Sequence, residues 1–521
     1  MHRSPWLSRI ALVVGAVIVL VGAVVVIIKS GKRDSPPPKV TGVASDTQTK
    51  IPVGGGVSLA AEVVTPLGAG KFPLIVMPTA FGSPLTQYHG LVGVLARDGY
   101  EIVTYTQRGF RSSGGQVDFA NTPTQLDVSK VIDWALKHLP VDAARIGMFG
   151  TSYGAGVSLL GAARDPRIKA VVATSSWADF ADVFEPNHTT SVASLAVLLG
   201  TAANKGRPSS ELTRLKASYD GPPEVTESLI TSMSRTRSAD RMLAKLNANH
   251  PAIMLASAYG DSILPPLSLI NFYNKLTGPK RLQLAPGDHG TPEAAGLLGQ
   301  PNATITAAHE WLDHYLKGTA NGINKEPPVR FADAVTHTVH TFDRWPTATT
   351  ALSLGRPDHD GNALRAAPTS WQANLGAGVD TTASSGTAQI SLSNVDAANA
   401  MTWTGAPVAR DTFVGGIPRL SLDISTSVGT ATLFAYLYDV DSGERATLMS
   451  VTPYTVSGAR AARRISFSLS PVGWTLAPGH RVGLVIDTVD SRWRSLSVPG
   501  SKLTISSTPA DPARLSVPIQ R

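Results

Sequence analysis

The chain has 521 residues, room for two or three domains, and its 43% hydrophobic and 16% charged residues are typical of a chain that folds around a sizeable core. About half of the formal net charge of +8 lies in the first 34 residues, and no basic run with interleaved aromatic residues follows, which argues against nucleic-acid binding. The lack of cysteine excludes disulfides, cysteine catalysis and thiolate metal sites.

The N-terminal segment predicts a membrane anchor. Residues 10–28 are 19 apolar or small residues without a charge, and as a helix they would extend about 28 Å, close to the thickness of a bilayer core. No Ala-x-Ala-like cleavage site follows, so residues 1–33 predict an uncleaved single-pass signal anchor, with a cleaved signal as the alternative. Residues 34–50 predict a Pro-rich stalk. We expect the folded body on the extracytoplasmic side of the cell membrane, or secreted.

Residues 51–326 predict an α/β domain. Short apolar strands alternate with helical stretches in this region, which favours a mostly parallel sheet covered by helices on both faces. Residues 178–250 interrupt the alternation, because they read as several helices without a strand. They predict an inserted helical cap that shapes a substrate pocket.

Residues 327–521 predict an all-β domain. Apolar and polar residues alternate with period two, so that Leu420, Leu422 and Ile424 would face one side of a strand. Turns such as residues 439–443 separate these runs. The pattern predicts an antiparallel β-sandwich or jelly roll.

A glycine-flanked serine lies between a predicted strand and a predicted helix, in the sequence "GTSYG" at residues 150–154. In a parallel α/β sheet, Gly-x-Ser-x-Gly places the serine on a strained turn with its Oγ exposed above the sheet. Side chains at Gly150 and Gly154 would collide with the neighbouring strand and helix. Ser152 is therefore the candidate nucleophile, and a glycine-rich turn with an idle serine is the alternative.

The order serine, acid, histidine along this scaffold identifies the partners of Ser152. Asp261 follows a predicted strand and His289 follows the next one. Asp261 would orient His289, which would accept the proton of Ser152 as that serine attacks a carbonyl carbon. Asp288 is a rival acid that we rank lower, because adjacent side chains on a turn usually diverge.

An oxyanion hole requires two donors. The backbone N–H of Tyr153, directly after the nucleophile, is one candidate. The second is expected from the loop after the strand "LIVMP", where Ala80 and Phe81 are our candidates and Thr79 and Gly82 are the alternatives.

Several motifs together resemble the X-Pro dipeptidyl-peptidase and cocaine esterase-like family, the CocE/NonD or S15-type α/β hydrolases. They are "TYTQRGFRSSGG", "GMFGTSYGAG", "SAYGDSILP", "WLDHYLKG" and "DRWPTATTALSL". The resemblance implies an α/β-hydrolase core with a helical cap and a C-terminal jelly roll. It also implies the roles of nucleophile, acid and base for Ser152, Asp261 and His289. Relatives often carry a tyrosine after the proline of the oxyanion loop, where this chain has Thr79.

These features predict a serine hydrolase that cleaves a small-molecule ester, or an amide in a short peptide, through an acyl-enzyme. An X-Pro dipeptidyl-peptidase is the alternative, and it would need an acidic group for the free amine, such as Asp179, Asp182 or Glu185 of the cap. A non-catalytic surface- or carbohydrate-binding protein is the second alternative. We expect no cofactor and no metal, and the sequence leaves the oligomeric state open. Arg108 is expected to be a buried structural arginine.

Overall fold

The computed structural model describes residues 33, 37–354, 363–365, 389–395, 399–498, 500–507 and 512–520. The predicted anchor helix at residues 10–28 lies outside these residues. Among the residues that are described, no helix combines the length and the apolar character needed to cross a bilayer.

A ten-stranded sheet forms the first region, in the order β1-β2-β4-β3-β5-β6-β7-β8-β9-β10. Neighbouring strands from β4 through β9 are parallel, whereas β1, β2 and β10 pair antiparallel at the two edges. The strands are β1 Ser45–Gly54, β2 Val57–Thr65, β3 Phe72–Pro78, β4 Glu101–Tyr105, β5 Val141–Thr151, β6 Ile168–Thr174, β7 Ala252–Ala258, β8 Lys280–Ala285, β9 Val329–Ala332 and β10 Val339–Phe342.

Two boundaries differ from the predicted ones. β1 begins at Ser45, so residues 45–50 of the predicted stalk form an edge strand instead. β9 and β10 pair with the sheet, so the sheet extends beyond the boundary predicted at residue 326. Both edge strands pair antiparallel, and their pairing does not show in a local apolar pattern.

Helices cover both faces of the sheet, as a parallel sheet requires. The α-helices are α1 His89–Arg97, α2 Thr122–His138, α3 Tyr153–Arg164, α4 Phe180–Phe184, α5 Val192–Lys205, α6 Ser210–Ser218, α7 Pro223–Arg237, α8 Leu243–Asn249, α9 Leu267–Lys275, α10 Ala294–Leu297 and α11 Ala303–Leu312. A 3₁₀ turn at Leu85–Tyr88 precedes α1.

The long helix α2 illustrates how the sequence fixes an element. The Asn121 side chain caps its first turn by accepting a hydrogen bond from the Thr122 N–H, and a proline lies in that turn. Its buried face includes Val128, Val131 and Ile132. Leu126, on the opposite face of this helix, is 46% exposed.

Between β6 and β7 the chain forms helices α4 to α8, and isolated bridges are the only β-structure there. This is the segment in which the sequence predicts a helical cap. α4 and α7 pack against each other, and α4 lies beside the end of β6, next to the predicted nucleophile turn.

The second region is antiparallel and consists of sheets of six, five and two strands. The strands are β11 Thr350–Leu354, β12 Ala363–Arg365, β13 Gln389–Ser391, β14 Met401–Thr404, β15 Thr412–Gly416, β16 Arg419–Thr426, β17 Thr430–Val440, β18 Arg445–Ser457, β19 Arg463–Ser468, β20 Val472–Leu476, β21 Arg481–Asp487, β22 Lys502–Ser506 and β23 Ala513–Val517. Leu420, Leu422 and Ile424 are buried together. The predicted α/β-hydrolase core followed by an antiparallel β domain is confirmed.

The β domain contacts the cap directly. The Ala193 N–H donates to the Arg492 carbonyl at 3.1 Å, and the Arg494 N–H donates to the Thr190 carbonyl at 2.9 Å. Tyr259 lies two residues before the predicted acid, Asp261, in the chain. Its hydroxyl donates to the carbonyl of Gly473 in the β domain at 2.9 Å. The β domain therefore holds both the cap and the loop of Asp261.

Candidate active site

The serine turn has the strained geometry of a nucleophile elbow. Ser152 lies between β5 and α3 with a φ of 57° and a ψ of −123°, a conformation that costs free energy for a residue with a side chain. A Cβ on Gly150 would lie 2.3 Å from the Gly154 carbonyl carbon, and one on Gly154 would lie 2.1 Å from the Pro78 oxygen. Both flanking positions therefore require glycine, for the reason that the sequence suggested.

The structure brings the three predicted residues of the triad together. His289 Nε2 lies 2.8 Å from Ser152 Oγ, and His289 Nδ1 lies 2.8 Å from Asp261 Oδ2. The other oxygen of Asp261 accepts hydrogen bonds from the N–H groups of Ile263 and Leu264, at 3.0 and 2.7 Å. These bonds fix the carboxylate, which in turn fixes the orientation of the imidazole.

The environment of His289 suits a base that accepts a proton in the reaction. Burial alone lowers the pKa of this imidazole, but the charge and hydrogen bond of Asp261 outweigh burial, so the pKa is raised above its usual value. Glu293 and Asp288 act in the same direction. The imidazolium that forms when Ser152 attacks is thereby stabilised.

The carboxylate of the rival acid, Asp288, bonds to groups other than the imidazole ring. Its carboxylate accepts from the Ser262 N–H at 2.7 Å, from the Ser262 hydroxyl at 2.9 Å and from the N–H of His289 at 2.6 Å. Burial raises the pKa of Asp288, and the nearby charge of Asp261 adds to this effect. Asp288 joins the acid loop to the histidine loop, and of these two acids it is Asp261 that makes a hydrogen bond with the ring.

The predicted oxyanion donors differ in their availability. The Ala80 N–H donates to Gln87 Oε1 at 2.8 Å, which argues against the prediction that it binds an oxyanion. The Thr79 N–H donates to the Tyr105 carbonyl at 3.0 Å. The N–H groups of Phe81 and Tyr153 make no hydrogen bond within the described part of the chain, and both residues stay candidates. The Thr79 hydroxyl is buried without a partner there.

An apolar pocket opens beside Ser152. It contains about 340 Å³ of space, including its open mouth. Its other lining residues are Phe81, Phe119, Tyr153, Trp177, Phe180, Phe184, Leu198, Ile263 and Leu264. None of them carries a charge. The wall next to the nucleophile is therefore largely aromatic, and the cap supplies Phe180, Phe184 and Leu198 to it.

Two of the three acidic cap residues considered, Asp179 and Glu185, have other partners. Asp179 caps α4 and accepts from the N–H groups of Ala181 and Asp182, at 2.8 and 3.3 Å. Glu185 accepts from the Thr190 hydroxyl at 2.7 Å. None of Asp179, Asp182 and Glu185 lines the pocket beside Ser152.

Sequence reasoning missed two buried polar residues near the site. Glu293 is fully buried, and burial raises its pKa, against which the hydroxyls of Ser175 and Thr174 act. Tyr88 is also fully buried, and its hydroxyl contacts the backbone of Pro78, at the end of β3, and of Thr151 in the elbow. Neither has a motif, because only the folded chain brings them to Ser152.

Two other candidates from the sequence and structure serve packing or charge balance. Arg108 Nε lies 2.9 Å from Asp127 Oδ2, and both side chains are largely buried, as expected of a structural arginine. Asp98, His309 and Asp313 are close enough to hold a metal ion. The Lys317 ammonium contacts Asp98 and lies 2.8 Å from Asp313, so it already supplies the cation.

Both regions of the chain match models of known protein families. A family model described as X-Pro dipeptidyl-peptidase (S15 family) matches residues 55–291. A second, the X-Pro dipeptidyl-peptidase C-terminal non-catalytic domain, matches residues 321–512. A putative serine esterase of Mycobacterium bovis is 25% identical over 311 residues, which are 50% of this chain and 48% of that protein. The chain spans less than half the length of the first curated relatives.

Two solved structures share the fold over nearly the whole chain. An aminopeptidase from a marine sediment Thaumarchaeota archaeon has a TM-score of 0.69 at 17% identity, covering 94% of this chain and 98% of its own. An α-amino acid ester hydrolase has a TM-score of 0.68 at 16% identity with the same coverage. These similarities include the β domain as well as the sheet that carries Ser152.

Proposed function

The chain belongs to the X-Pro dipeptidyl-peptidase (S15) family of α/β hydrolases, and from this premise we propose that it is a serine hydrolase for carboxylic esters with an apolar acyl group. The observation that carries the proposal is the continuous hydrogen-bonded relay of Ser152, His289 and Asp261, with both distances at 2.8 Å. A decayed, non-catalytic binding protein would have no reason to retain this relay on a strained turn.

The mechanism follows from the relay. His289 accepts the proton of the Ser152 hydroxyl while Oγ attacks the ester carbonyl carbon, and Asp261 stabilises the imidazolium. His289 then gives the proton to the leaving alcohol, and an acyl-Ser152 intermediate forms. Water then attacks the acyl carbon while His289 accepts its proton. His289 returns this proton to Ser152 Oγ as the bond between Oγ and the acyl carbon breaks, which releases the carboxylic acid and restores the serine. The Tyr153 amide, at the start of α3, is the candidate donor of that helix to the developing oxyanion.

The pocket favours an ester over an X-Pro peptide. A dipeptidyl-peptidase must hold a free ammonium group, and an unpaired ammonium against aromatic walls would be costly to desolvate. The pocket residues are apolar or aromatic apart from Ser152. Asp179 and Glu185 of the cap bond to backbone N–H and hydroxyl groups, and Asp182 does not line the pocket. An acyl chain or ring gains free energy in such a pocket by burial.

The experiment compares p-nitrophenyl esters of increasing acyl length with an X-Pro p-nitroanilide, using the full chain and its Ser152→Ala variant. We expect ester hydrolysis that depends on Ser152, with kcat/KM rising from acetyl to butyryl or benzoyl. A higher kcat/KM for the X-Pro anilide would establish the peptidase instead. Hydrolysis that survives in Ser152→Ala would contradict the mechanism.

We also propose that residues 1–33 anchor the protein to the cell membrane with the hydrolase on the extracytoplasmic side. The support is the uncharged apolar run at residues 10–28 and the flanking basic residues. Alkaline extraction of membranes from cells that produce the full chain, or the chain without residues 1–33, tests this. Release of the full chain by carbonate would contradict the anchor.

A further inference from the structure

The two strands that carry the candidate oxyanion donors separate next to the nucleophile. The parallel ladder of β3 and β5 ends at the pair Val76 and Met148. Beyond it, Gly154 of α3 approaches the Pro78 oxygen so closely that a Cβ would lie 2.1 Å away. Direct backbone pairing cannot continue there, so another group must fix the distance between the two segments.

The hydroxyl of Tyr88 bridges this gap. It donates to the Pro78 carbonyl at 3.0 Å and accepts from the Thr151 N–H at 3.0 Å. Pro78 ends β3, one residue before the oxyanion loop, and Thr151 directly precedes Ser152. Tyr88 is fully buried, so water cannot replace either bond if the hydroxyl is lost.

A neighbour on the same 3₁₀ turn, Leu85–Tyr88, acts on the loop itself. Gln87 Oε1 accepts the Ala80 N–H at 2.8 Å. This bond removes the Ala80 amide from the set of available donors and leaves the Phe81 amide as the next along the chain. The turn therefore contacts both the loop and the elbow.

Two further side chains hold the loop from the opposite side. Gln107 Nε2 donates to the Thr79 carbonyl at 3.2 Å, and Arg111 Nε donates to the Gly82 carbonyl at 2.8 Å. Thus carbonyls on both sides of Phe81 are held by side chains. A loop held in this way needs no tyrosine hydroxyl of its own to present a donor.

We propose that the Leu85–Tyr88 turn sets the oxyanion hole, with Tyr88 and Gln87 as positioning residues that hold the Phe81 and Tyr153 amides as its two donors. The inference rests on the proposed serine hydrolase function. Oxyanion stabilisation acts mainly in the transition state, so a displaced donor lowers kcat and leaves KM nearly unchanged.

The test uses Tyr88→Phe in the full chain, with p-nitrophenyl butyrate as substrate. Loss of the hydroxyl is expected to lower kcat about 10- to 100-fold with KM within about twofold, because small displacements in a preorganised site have effects of this order. Binding of butane boronic acid, whose tetrahedral adduct mimics the oxyanion, should weaken by a similar factor. A Tyr88→Phe enzyme with unchanged kcat and boronate affinity overturns the inference.

The matched control is Tyr100→Phe. Tyr100 is another fully buried tyrosine, and its hydroxyl lies 2.7 Å from Asp313 Oδ1. It precedes the first residue of β4, whereas Ser152 follows the last residue of β5, so the two residues lie at opposite ends of these parallel strands. We expect Tyr100→Phe to lose thermal stability but to keep kcat within about twofold. An equal kcat loss in both variants would indicate a purely structural role for Tyr88.

Variants of Gln87 keep the inference testable if Tyr88→Phe does not fold. Gln87→Leu removes the acceptor for the Ala80 amide and should lower kcat, whereas Gln87→Glu retains an acceptor oxygen and should restore it. Equal rates for these two variants overturn the inference. If the wild-type chain neither hydrolyses esters nor reacts with a fluorophosphonate at Ser152, the proposed function itself fails, which is a distinct result.

Discussion

The nucleophile elbow and the oxyanion loop lie side by side but are fixed by different means. Backbone shape fixes the elbow, because a Cβ at Gly150 or Gly154 would collide with neighbouring backbone atoms and Ser152 takes a φ of 57°. Side chains from outside the loop fix the loop. Tyr88 and Gln87 of the 3₁₀ turn bond to Pro78 and Ala80, and Gln107 and Arg111 bond to the carbonyls of Thr79 and Gly82. An elbow of this kind is visible in five consecutive residues, whereas such a loop is visible only in three dimensions.

The largest expected effect breaks the elbow. Gly154→Ala places a Cβ 2.1 Å from the Pro78 oxygen, which must shift α3 or β3 and with it the Ser152 hydroxyl. We expect a loss in kcat of about 10³-fold or more, as for removal of a central catalytic feature, or loss of the folded protein. Ester hydrolysis and thermal unfolding measure the two outcomes.

Gly200→Ala in α5 is the matched control, because a Cβ there meets nothing within 4 Å. In a helix interior this change should be neutral or stabilise by about 0.5–1 kcal/mol. Wild-type kcat in Gly154→Ala would show that the elbow tolerates a side chain, which the geometry does not allow.

The second effect compares the two adjacent acids. Asp261→Asn removes the charge that orients His289 and should lower kcat about 10⁴-fold, as in other Ser-His-Asp triads. Asp288→Asn disturbs bonds to Ser262 and to the His289 backbone only, so we expect a loss of about tenfold or less. Steady-state kinetics of both variants at one pH decide the assignment, and a reversed order would make Asp288 the triad acid.

A third prediction concerns pH. The reaction needs neutral His289, and its pKa is raised because the Asp261 carboxylate outweighs the effect of burial. kcat/KM should therefore rise with increasing pH, and the midpoint of this rise should lie above 6.5, the ordinary pKa of histidine. A midpoint clearly below 6.5 would mean that Asp261 does not act on the ring as the structure indicates.

The residues of the site differ in how well the sequence predicts them. Ser152, Asp261 and His289 could be identified because each follows a strand, and strand ends of a parallel sheet meet at one edge. The oxyanion donor could not be narrowed beyond Thr79 to Gly82, because the selection depends on Gln87 accepting one amide. Side-chain contacts of that kind leave no periodicity or spacing in the chain.

The fold shows the same division. The parallel strands and the alternating β domain were predictable, since burial of one or both faces dictates their apolar pattern. The edge strands β1 and β10 were not, because exposed edge residues carry little pattern.

The smallest expected effect lies far from both features. Glu62 in β2 is fully buried, and burial, together with Asp46, raises the pKa of its carboxyl to about 8. The unfolded chain ionises near pH 4.5, so the free energy of unfolding falls as pH rises from there to about 8. Glu62→Gln should raise Tm at pH 8 more than at pH 5 and leave kcat unchanged. Equal shifts at both pH values would contradict the buried, protonated state.

The most direct test of the central claim is covalent labelling of the full chain with a fluorophosphonate, followed by mass spectrometry of its peptides. We predict a single adduct on Ser152, which forms more slowly while an excess of a p-nitrophenyl ester competes for the serine and is absent from the Ser152→Ala variant. If the folded protein binds an apolar ester but does not react with the fluorophosphonate at Ser152, the result would contradict the account and favour a non-catalytic binding protein.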